Sequence, residues 1–480
     1  MIHQYKSNGY NIVMDVNSGS VHVVDDIVYD MIPLVEPLVN EGIKDADTIK
    51  AAVLNLANIP YPDEDILEAV DEVLTLEAEG QLFAPDIYES YVFDFKKRQT
   101  VVKALCLHIA HDCNLACKYC FLGNNHQNTR MKFHKDNMTK DIAKKGADFF
   151  IQQLELQPLD ESRDPSVIFY GGEPLINFEI LEYIVLYLNS MKSAHPVLQN
   201  IDYSIVTNGL LLTEERLKRL VELGVSIGIS VDGCDEEANQ SRIDTNGNPV
   251  FHKIIETLDL IKSLGIPVSL SITLTEESIK NKEKMLDLIK KYEIKGFGFN
   301  IMMSDPNTKL AESYSHDAAN FIIEIFQELR KLGIYEDRIM RKLKSFANAQ
   351  VYFSDCAATS GAQIVIASNG DVGICHGCLA DRKYFVQNIT NENFNPQHDE
   401  VWNEWSKLSP INKPECQECE ALGICGGGCP INAMNEKEGN DIHSLDKRFC
   451  IHAKTTLEFL ISDLYRIITG KNERCLRESL

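Results

Sequence analysis

The chain has 480 residues and a mass of 54.2 kDa, more than one hydrophobic core usually organises, so we expect two or three domains. Hydrophobic residues make up 44% of the sequence and charged residues 25%, which excludes a collagen-like or largely disordered chain. The formal net charge of −24 disfavours phosphate backbones and anionic lipid surfaces as partners. The composition therefore predicts a folded protein that binds neither nucleic acid nor membrane.

The cysteine content is the main anomaly of this composition. No run of about eighteen apolar residues is present, and the start MIHQYKSNGY lacks the basic and then apolar layout of a secretory signal. We therefore expect a cytoplasmic protein. In a reducing cytosol, 14 cysteines are better explained by metal ligation than by disulfides.

Residues 1–92 are predicted to form a small domain of strands and helices. Alternating apolar residues over 11–16 and 20–25 indicate two strands, joined by a turn that contains Gly19. Three later segments with apolar residues three and four positions apart indicate helices. A stability or dimerisation domain, or a peptide-recognition domain with an exposed strand edge, is consistent with this pattern.

Residues 93–335 contain β-branched runs that alternate with amphipathic helical stretches. The six predicted strands span 103–110, 165–170, 202–208, 225–231, 267–275 and 297–303. Strands separated by helix-length segments predict an α/β fold with a parallel sheet, here a partial (β/α)6 barrel of the TIM type, whose active site lies at the carboxyl ends of the strands. Residues 336–480 are rich in turns and cysteine, which predicts a third domain that is held together by metal centres.

The first predicted barrel strand is followed by HDCNLACKYCF, which places Cys113, Cys117 and Cys120 on one loop. Three thiolates can hold a [4Fe-4S] cube and leave its fourth iron open to another ligand. A zinc knuckle completed by His108 or His111, or three buried cysteines without a metal, are alternative interpretations.

This C-x3-C-x-aromatic-C arrangement resembles the motif of the radical S-adenosylmethionine (SAM) superfamily. The resemblance implies that the open iron chelates SAM and that an electron from the cluster cleaves SAM to a 5'-deoxyadenosyl radical. It also implies SAM contacts at Tyr119, Gly171, Gly172, Glu173, Pro174, Ser230 and Arg242. The sequence GGEP at 171–174 is by itself also a turn motif, and an isolated serine or arginine is more often structural.

Seven later cysteines resemble the SPASM pattern, in which Gly370 precedes the second cysteine by five positions and a C-x2-C-x5-C-x3-C run follows. Two structural zinc sites are an alternative interpretation of the spacing. The resemblance implies three [4Fe-4S] clusters in all, with an inner auxiliary cluster on Cys356, Cys375 and Cys429 and an outer one on Cys416, Cys419, Cys425 and Cys450. Sulfatase-maturing relatives carry another cysteine where this chain reads AATSGAQ, so the inner cluster is expected to keep an open iron, although Cys378 lies three residues after Cys375.

Together with GYNIVMDVNSGSVHVVDD near the start, these motifs resemble the CteB-like maturases of SCIFF, ranthipeptide and sactipeptide precursors. The resemblance implies that 1–92 is a winged-helix-like element that recognises the leader of a ribosomal precursor peptide (a RiPP). It further implies thioether crosslinks between cysteine sulfur and an α, β or γ carbon, with flavodoxin or ferredoxin as the electron donor. Dehydrogenation, carbon–carbon crosslinking and a non-catalytic iron–sulfur electron carrier are the alternatives.

Overall fold

The computed structural model describes residues 1–469 except 8, 57–59, 97–100, 121, 123–135, 158–163, 304–309, 312, 349, 392–393 and 436–440. Phe121 of the cysteine loop and Cys475 therefore lie outside the described residues. Within the described ranges, no helix combines the length and the apolar character needed to cross a membrane.

The N-terminal region is a three-stranded antiparallel sheet followed by three helices. The strands are β1 (Ile2–Ser7), β2 (Tyr10–Asp15) and β3 (Ser20–Val24), in that order across the sheet, and the helices are α1 (Asp26–Asn40), α2 (Ala46–Leu56) and α3 (Asp63–Ala78). The predicted hairpin is present, with Asp15 opposite Ser20 and Gly19 at a φ of +74° in the turn. β1 is missing from the predicted strands because IHQYKS spaces its two apolar residues three positions apart instead of two.

A parallel barrel sheet forms the centre of the molecule. Its strands are β4 (Ala104–Ala110), β5 (Ser166–Gly171), β6 (Asp202–Thr207), β7 (Val225–Val231), β8 (Ser269–Leu274) and β9 (Gly296–Ile301). The helix α4 (Tyr88–Lys96) precedes them, and one helix follows each strand: α5 (Lys140–Glu155), α6 (Phe178–Met191), α7 (Glu214–Glu222), α8 (Phe251–Ser263), α9 (Lys282–Lys291) and α10 (Tyr314–Arg330). The α/β class and the partial (β/α)6 barrel are thus confirmed.

The same sheet continues into the cysteine-rich region. β10 (Tyr335–Glu336) pairs with β9 at one edge, and β11 (Gln363–Ile366) pairs in parallel with β4 at the other, followed by the antiparallel strands β12 (Asp371–Gly373) and β13 (Phe385–Asn388). The remaining α-helices among the described residues are α11 (Asp337–Ala347), α12 (Glu400–Trp405), α13 (Leu422–Cys425), α14 (Pro430–Asn435) and α15 (Lys447–Thr469). The third region is therefore hydrogen-bonded to the first barrel strand, while the division of the chain at 92 and 335 stays a prediction.

The N-terminal sheet packs on both faces. Val13 of β2 belongs to the core that the sheet forms with α1, α2 and α3. Its neighbours Ile12 and Met14 point to the other face, where they share a buried cluster with Leu457 and Leu460 of α15. The N-terminal region is therefore anchored to the cysteine-rich region by apolar contacts.

Candidate functional site

The cysteine loop lies at the carboxyl end of β4, where Cys113, Cys117 and Cys120 come together. Its backbone is held to the segment after β7 by a hydrogen bond of 2.8 Å from the Ala116 amide to the Ile243 carbonyl oxygen. Burial raises the pKa of Cys113 and of Cys117 to about 12, and the neighbouring thiols raise it as well. Protein groups alone thus disfavour the thiolates, whereas a bound metal centre would deprotonate them. Three converging thiols of this kind fit an iron–sulfur cluster.

The glycines after β5 allow that loop to run against the cysteine loop. The Gly172 amide donates a hydrogen bond of 2.8 Å to the Ala110 carbonyl oxygen. A Cβ atom on Gly171, whose φ is +146°, would overlap that same oxygen, and one on Gly172 would lie 2.7 Å from the His111 carbonyl oxygen. Only glycine fits this approach of two backbones without a shift.

Glu173 is 1% exposed and ties the ends of two barrel strands together. Its carboxylate accepts hydrogen bonds from the Leu175 amide at 3.0 Å, the Thr207 hydroxyl at 2.7 Å and the Asn208 amide at 2.9 Å. Burial raises the pKa of Glu173, and these three bonds oppose that shift. The contacts give Glu173 a positioning role, and its contact with the SAM ammonium group stays a prediction.

A buried polar network joins Tyr119, Asp232 and Arg242. Arg242 donates hydrogen bonds of 2.7 Å to the Asp232 carboxylate and to the Tyr119 hydroxyl, which itself donates to Asp232. Burial lowers the pKa of Arg242, but Asp232 more than offsets this and holds the pKa well above its ordinary value. The second oxygen of Asp232 and Nε of Arg242 have no hydrogen-bond partner among the described residues, so the network can bind a further polar group.

Asp232 is a residue that the sequence analysis missed. It directly follows β7, at the end of the sheet where active sites of such barrels lie, and that position is the signal that could have found it. Ser230, two positions earlier, pairs with Ser271 of β8 in the sheet. Tyr119 and Arg242, both predicted to contact SAM, are brought together through Asp232.

Residues 107–289, which span β4 to α9, match the sequence model of the radical SAM superfamily. The chain carries a radical SAM domain. Among curated relatives, the radical SAM cyclopropyl synthase TigE of Paramaledivibacter caminithermalis is 26% identical over 75% of this chain and 74% of its own length. A cysteine-type anaerobic sulfatase-maturating enzyme of Clostridium novyi is 24% identical over 74% of this chain and 93% of its own.

Two solved structures share the fold of this chain. Native anSMEcpe with bound AdoMet has a TM-score of 0.61 at 21% identity and covers 77% of this chain and 100% of its own. Streptococcus suis SuiB bound to the precursor peptide SuiA has a TM-score of 0.53 at 15% identity. The match covers 94% of this chain and 98% of the SuiB chain. The likeness to the second structure thus extends over nearly the whole chain, beyond the radical SAM domain.

The predicted inner auxiliary set comes together beside the radical SAM domain. The thiols of Cys356 and Cys429 lie close enough to Cys375 for electrostatic interaction, and burial raises the pKa of Cys429 to about 12. Cys378 is also present: its amide donates a hydrogen bond of 3.1 Å to the Cys375 carbonyl oxygen, and its thiol raises the pKa of Cys375. Three thiols therefore fit one metal centre, with Cys378 next to them.

The predicted outer set also converges, between α13 and α15. Burial raises the pKa of Cys416 and of Cys450 to about 12, with further contributions from the thiols of Cys419 and Cys425. Gly426, the residue after α13, has a φ of +76°, which lets the chain turn directly after Cys425. All four cysteines thus face one another and fit a fully ligated cluster.

Two buried lysines flank the outer set, and the sequence analysis missed both. Lys342 of α11 is 1% exposed and donates a hydrogen bond of 3.1 Å to the Cys425 carbonyl oxygen. Lys413 donates one of 2.8 Å to the Ser444 carbonyl oxygen and lies near Cys416. Burial lowers the pKa of both lysines, and the cysteines oppose this. Cations at these positions favour an anionic centre, as a four-thiolate cluster is.

Proposed function

We propose that this radical SAM protein installs intramolecular thioether crosslinks, between cysteine sulfur and an α, β or γ carbon, in a ribosomal precursor peptide. The observation that carries the proposal is the inner set, in which Cys356, Cys375 and Cys429 offer three ligands to a centre with four corners. The relatives named as sulfatase-maturating enzymes, and the structure of SuiB bound to the precursor peptide SuiA, support a peptide or protein substrate.

When bound, the cluster and SAM supply a carbon-centred radical, and an auxiliary cluster with an open corner supplies a binding position for a thiolate. The protein's own residues position these groups. The glycines at 171 and 172 and the carboxylate of Glu173 hold the loops of β4, β5 and β6 together at the carboxyl edge of the barrel. Arg242, held charged by Asp232, is suited to a carboxylate such as that of SAM.

The balance of the reaction defines what the partners must supply. One electron enters for each SAM cleaved, from a low-potential donor such as flavodoxin or ferredoxin. The acceptor carbon loses one hydrogen atom, and the cysteine S–H loses a proton when the S–C bond forms, which returns one electron. The crosslinked peptide is therefore lighter by two hydrogens per thioether.

Leader binding is assigned to the N-terminal sheet. β3 lies at an edge of this sheet and pairs only with β2 among the described strands, and its Val23 is 41% exposed. An exposed strand edge can take an added peptide strand through main-chain hydrogen bonds. Val23→Asp should weaken leader binding at least tenfold in a fluorescence anisotropy titration, whereas Leu56→Asp, on the exposed surface of α2, should not. Equal affinities of the two variants would contradict leader binding at β3.

A second candidate function rests on Cys378. If its thiol filled the fourth corner of the inner cluster, the protein would hold no position for a peptide thiolate, and dehydrogenation or carbon–carbon crosslinking would be favoured instead. The contact between the Cys378 and Cys375 thiols supports this alternative.

Mass spectrometry of the precursor peptide after anaerobic reaction with SAM and a reductant separates these functions. Formation of a thioether removes two hydrogens from the peptide. It also leaves one fewer cysteine thiol that iodoacetamide can alkylate. Dehydrogenation and carbon–carbon crosslinking remove the same mass but leave every cysteine alkylatable, and a non-catalytic electron carrier leaves the peptide unchanged. Loss of two hydrogens with full alkylation would overturn the thioether proposal.

A further inference from the structure

A cluster of metal-binding side chains lies inside the barrel and is not explained by the three cysteine sets. Cys106 and His108 are two positions apart on β4, so their side chains point to the same face of the sheet. His376, which follows β12, reaches the same place from the cysteine-rich region. One ligand atom from each residue lies within 4.8 Å of the other two.

The environment of His108 indicates that a partner is needed there. His108 is 0% exposed, and neither of its ring nitrogens has a hydrogen-bond partner among the described residues. A buried polar group without a partner costs free energy, so native structures rarely contain one without a bound water or ion. The rings of His108 and His376 are 6.1 Å apart and nearly perpendicular, at 85°.

The other histidine near the cysteine loop is differently placed. The His111 ring contacts the Ser368 hydroxyl at 2.9 Å. The zinc knuckle considered from the sequence would have needed His108 or His111 beside Cys113, Cys117 and Cys120. Instead, His108 lies with Cys106 and His376.

We propose that Cys106, His108 and His376 bind one zinc ion, with the fourth tetrahedral position open to water or a thiolate. One thiolate and two imidazoles are typical zinc ligands, at about 2.3 Å for Zn–S and about 2.0 Å for Zn–N. Donors within 4.8 Å of one another reach one ion after small side-chain rotations. The ligands of a cubane instead bind different irons at separate corners, so this compact group fits a single ion better than a cluster. The ion would link β4 to the chain between β12 and β13.

The test uses the full-length protein, reconstituted anaerobically with iron and sulfide and then titrated with Co²⁺ as a spectroscopic substitute for zinc. About one Co²⁺ per chain should bind with tetrahedral visible bands and a sulfur-to-cobalt band. Cys106→Ser should abolish the sulfur-to-cobalt band. His108→Gln and His376→Gln should weaken Co²⁺ binding at least tenfold. Iron content should stay at the parent value in all three variants.

Matched controls come from groups of the same kind elsewhere in the chain. His452→Gln changes another 0% exposed histidine without hydrogen-bond partners for its ring nitrogens among the described residues, and Cys234→Ser changes a cysteine outside the predicted ligand sets. Both should bind Co²⁺ as the parent does.

Three results would overturn the proposal: no Co²⁺ binding by the parent, a sulfur-to-cobalt band that persists in all three variants, or loss of about four irons with the variants, which would assign these residues to a cluster. Zinc X-ray absorption of the unmutated, zinc-loaded protein is independent of whether the variants fold. It should show one sulfur and two histidine nitrogens, and a shell without either kind of ligand would also overturn the proposal.

Discussion

The cysteine loop of the radical SAM domain and the auxiliary sets differ in how far apart their ligands lie in the chain. Cys113 and Cys120 bound a single loop after one strand, whereas the auxiliary sets extend from Cys356 to Cys450. The loop is held by β4 and by contacts with the segment after β7, such as the hydrogen bond from the Ala116 amide to the Ile243 carbonyl oxygen. The auxiliary sets need β12, α13, α14 and α15 to pack correctly. Damage to the loop should therefore remove chemistry without affecting the fold, while damage to the auxiliary sets should affect both.

The largest effect is expected for the cysteine loop, whose three ligands lie close together in the chain. Replacing Cys113, Cys117 and Cys120 together with Ala should abolish SAM cleavage, because this loop is proposed to bind the cluster that reduces SAM. Iron should fall from about twelve to about eight atoms per chain, at four per cubane, with the unfolding midpoint nearly unchanged. Deoxyadenosine formation is measured by chromatography, with Cys234→Ala as the control. Formation at the parent rate would contradict the assignment.

The next prediction tests the auxiliary sets, whose ligands lie far apart in the chain. Cys429→Ser should lower both iron content and peptide crosslinking. It should also lower the unfolding midpoint, because a cluster shared by Cys429 and the nearby Cys375 would link the segment before α14 to the segment after β12. Cys378→Ser should leave all three nearly unchanged if the inner cluster keeps an open corner. Iron analysis, thermal unfolding and mass spectrometry are the measurements. A loss of iron with Cys378→Ser as large as that with Cys429→Ser would indicate that Cys378 is a ligand.

A backbone substitution tests how closely the loops of the radical SAM domain must approach. Gly172→Ala places a Cβ atom against the His111 carbonyl oxygen, so the loops must separate, and SAM affinity should fall at least tenfold, or about 1.4 kcal/mol. Gly224→Ala is the matched control. Gly224 has a φ of +70° with open space around it, so the change should cost about 1 kcal/mol of stability without weakening SAM binding. Calorimetry with SAM measures both variants, and equal affinities would refute the close-approach argument.

A smaller effect concerns the cations beside the outer set. Lys342→Met removes a buried positive charge whose Nζ lies 3.1 Å from the Cys425 carbonyl oxygen. The reduced form of a cluster carries one more negative charge, so its reduction potential should become more negative, by about 50 to 100 mV from Coulomb's law at an intermediate dielectric constant. A redox titration followed by electron paramagnetic resonance measures the change. The cluster of the loop should keep its potential, and a shift toward positive values would contradict the assignment.

The last prediction concerns Glu336, at the junction between the barrel and the cysteine-rich region. Glu336 is 0% exposed at the start of α11, and burial raises its pKa to about 7 against the hydrogen bonds that it accepts from the Arg338 and Ile339 amides. The pKa of Glu336 in the folded protein exceeds that of an unfolded glutamate, about 4.3. The contribution of Glu336 to stability is therefore full below about pH 4.3 and is lost as the pH rises toward 7. The loss amounts to about 4 kcal/mol.

Glu336→Gln should therefore flatten the dependence of stability on pH between about 4 and 7. Urea unfolding at several pH values measures this slope. Glu179→Gln, on the exposed first turn of α6, should keep the parent slope. The prediction would be wrong if the parent protein became more stable as pH rises across this range and Glu336→Gln showed the same slope. Glu336 would then not dominate the pH dependence of stability.

Local signals predicted much of the architecture. The six barrel strands are found within two residues of their predicted ends, because runs such as VSIGISV combine β-branched residues with flanking turns. The loop of Cys113, Cys117 and Cys120 was equally readable, since its spacing is short and follows a strand. Asp232 was not found, because a single aspartate after a strand looks like any turn residue until Arg242 and Tyr119 are seen to contact it.

By itself the sequence determined the order of the six barrel strands, the cysteine spacing and the radical SAM motif, because these depend on periodicity and on neighbours in the chain. Only the tertiary structure decided that β11 pairs with β4, that Ile12 packs with the apolar face of α15, and that His376 joins Cys106 and His108. Those contacts join residues hundreds of positions apart. They form because burying apolar surface and completing the sheet's hydrogen bonds lower the free energy of the whole chain, and no short segment carries that information.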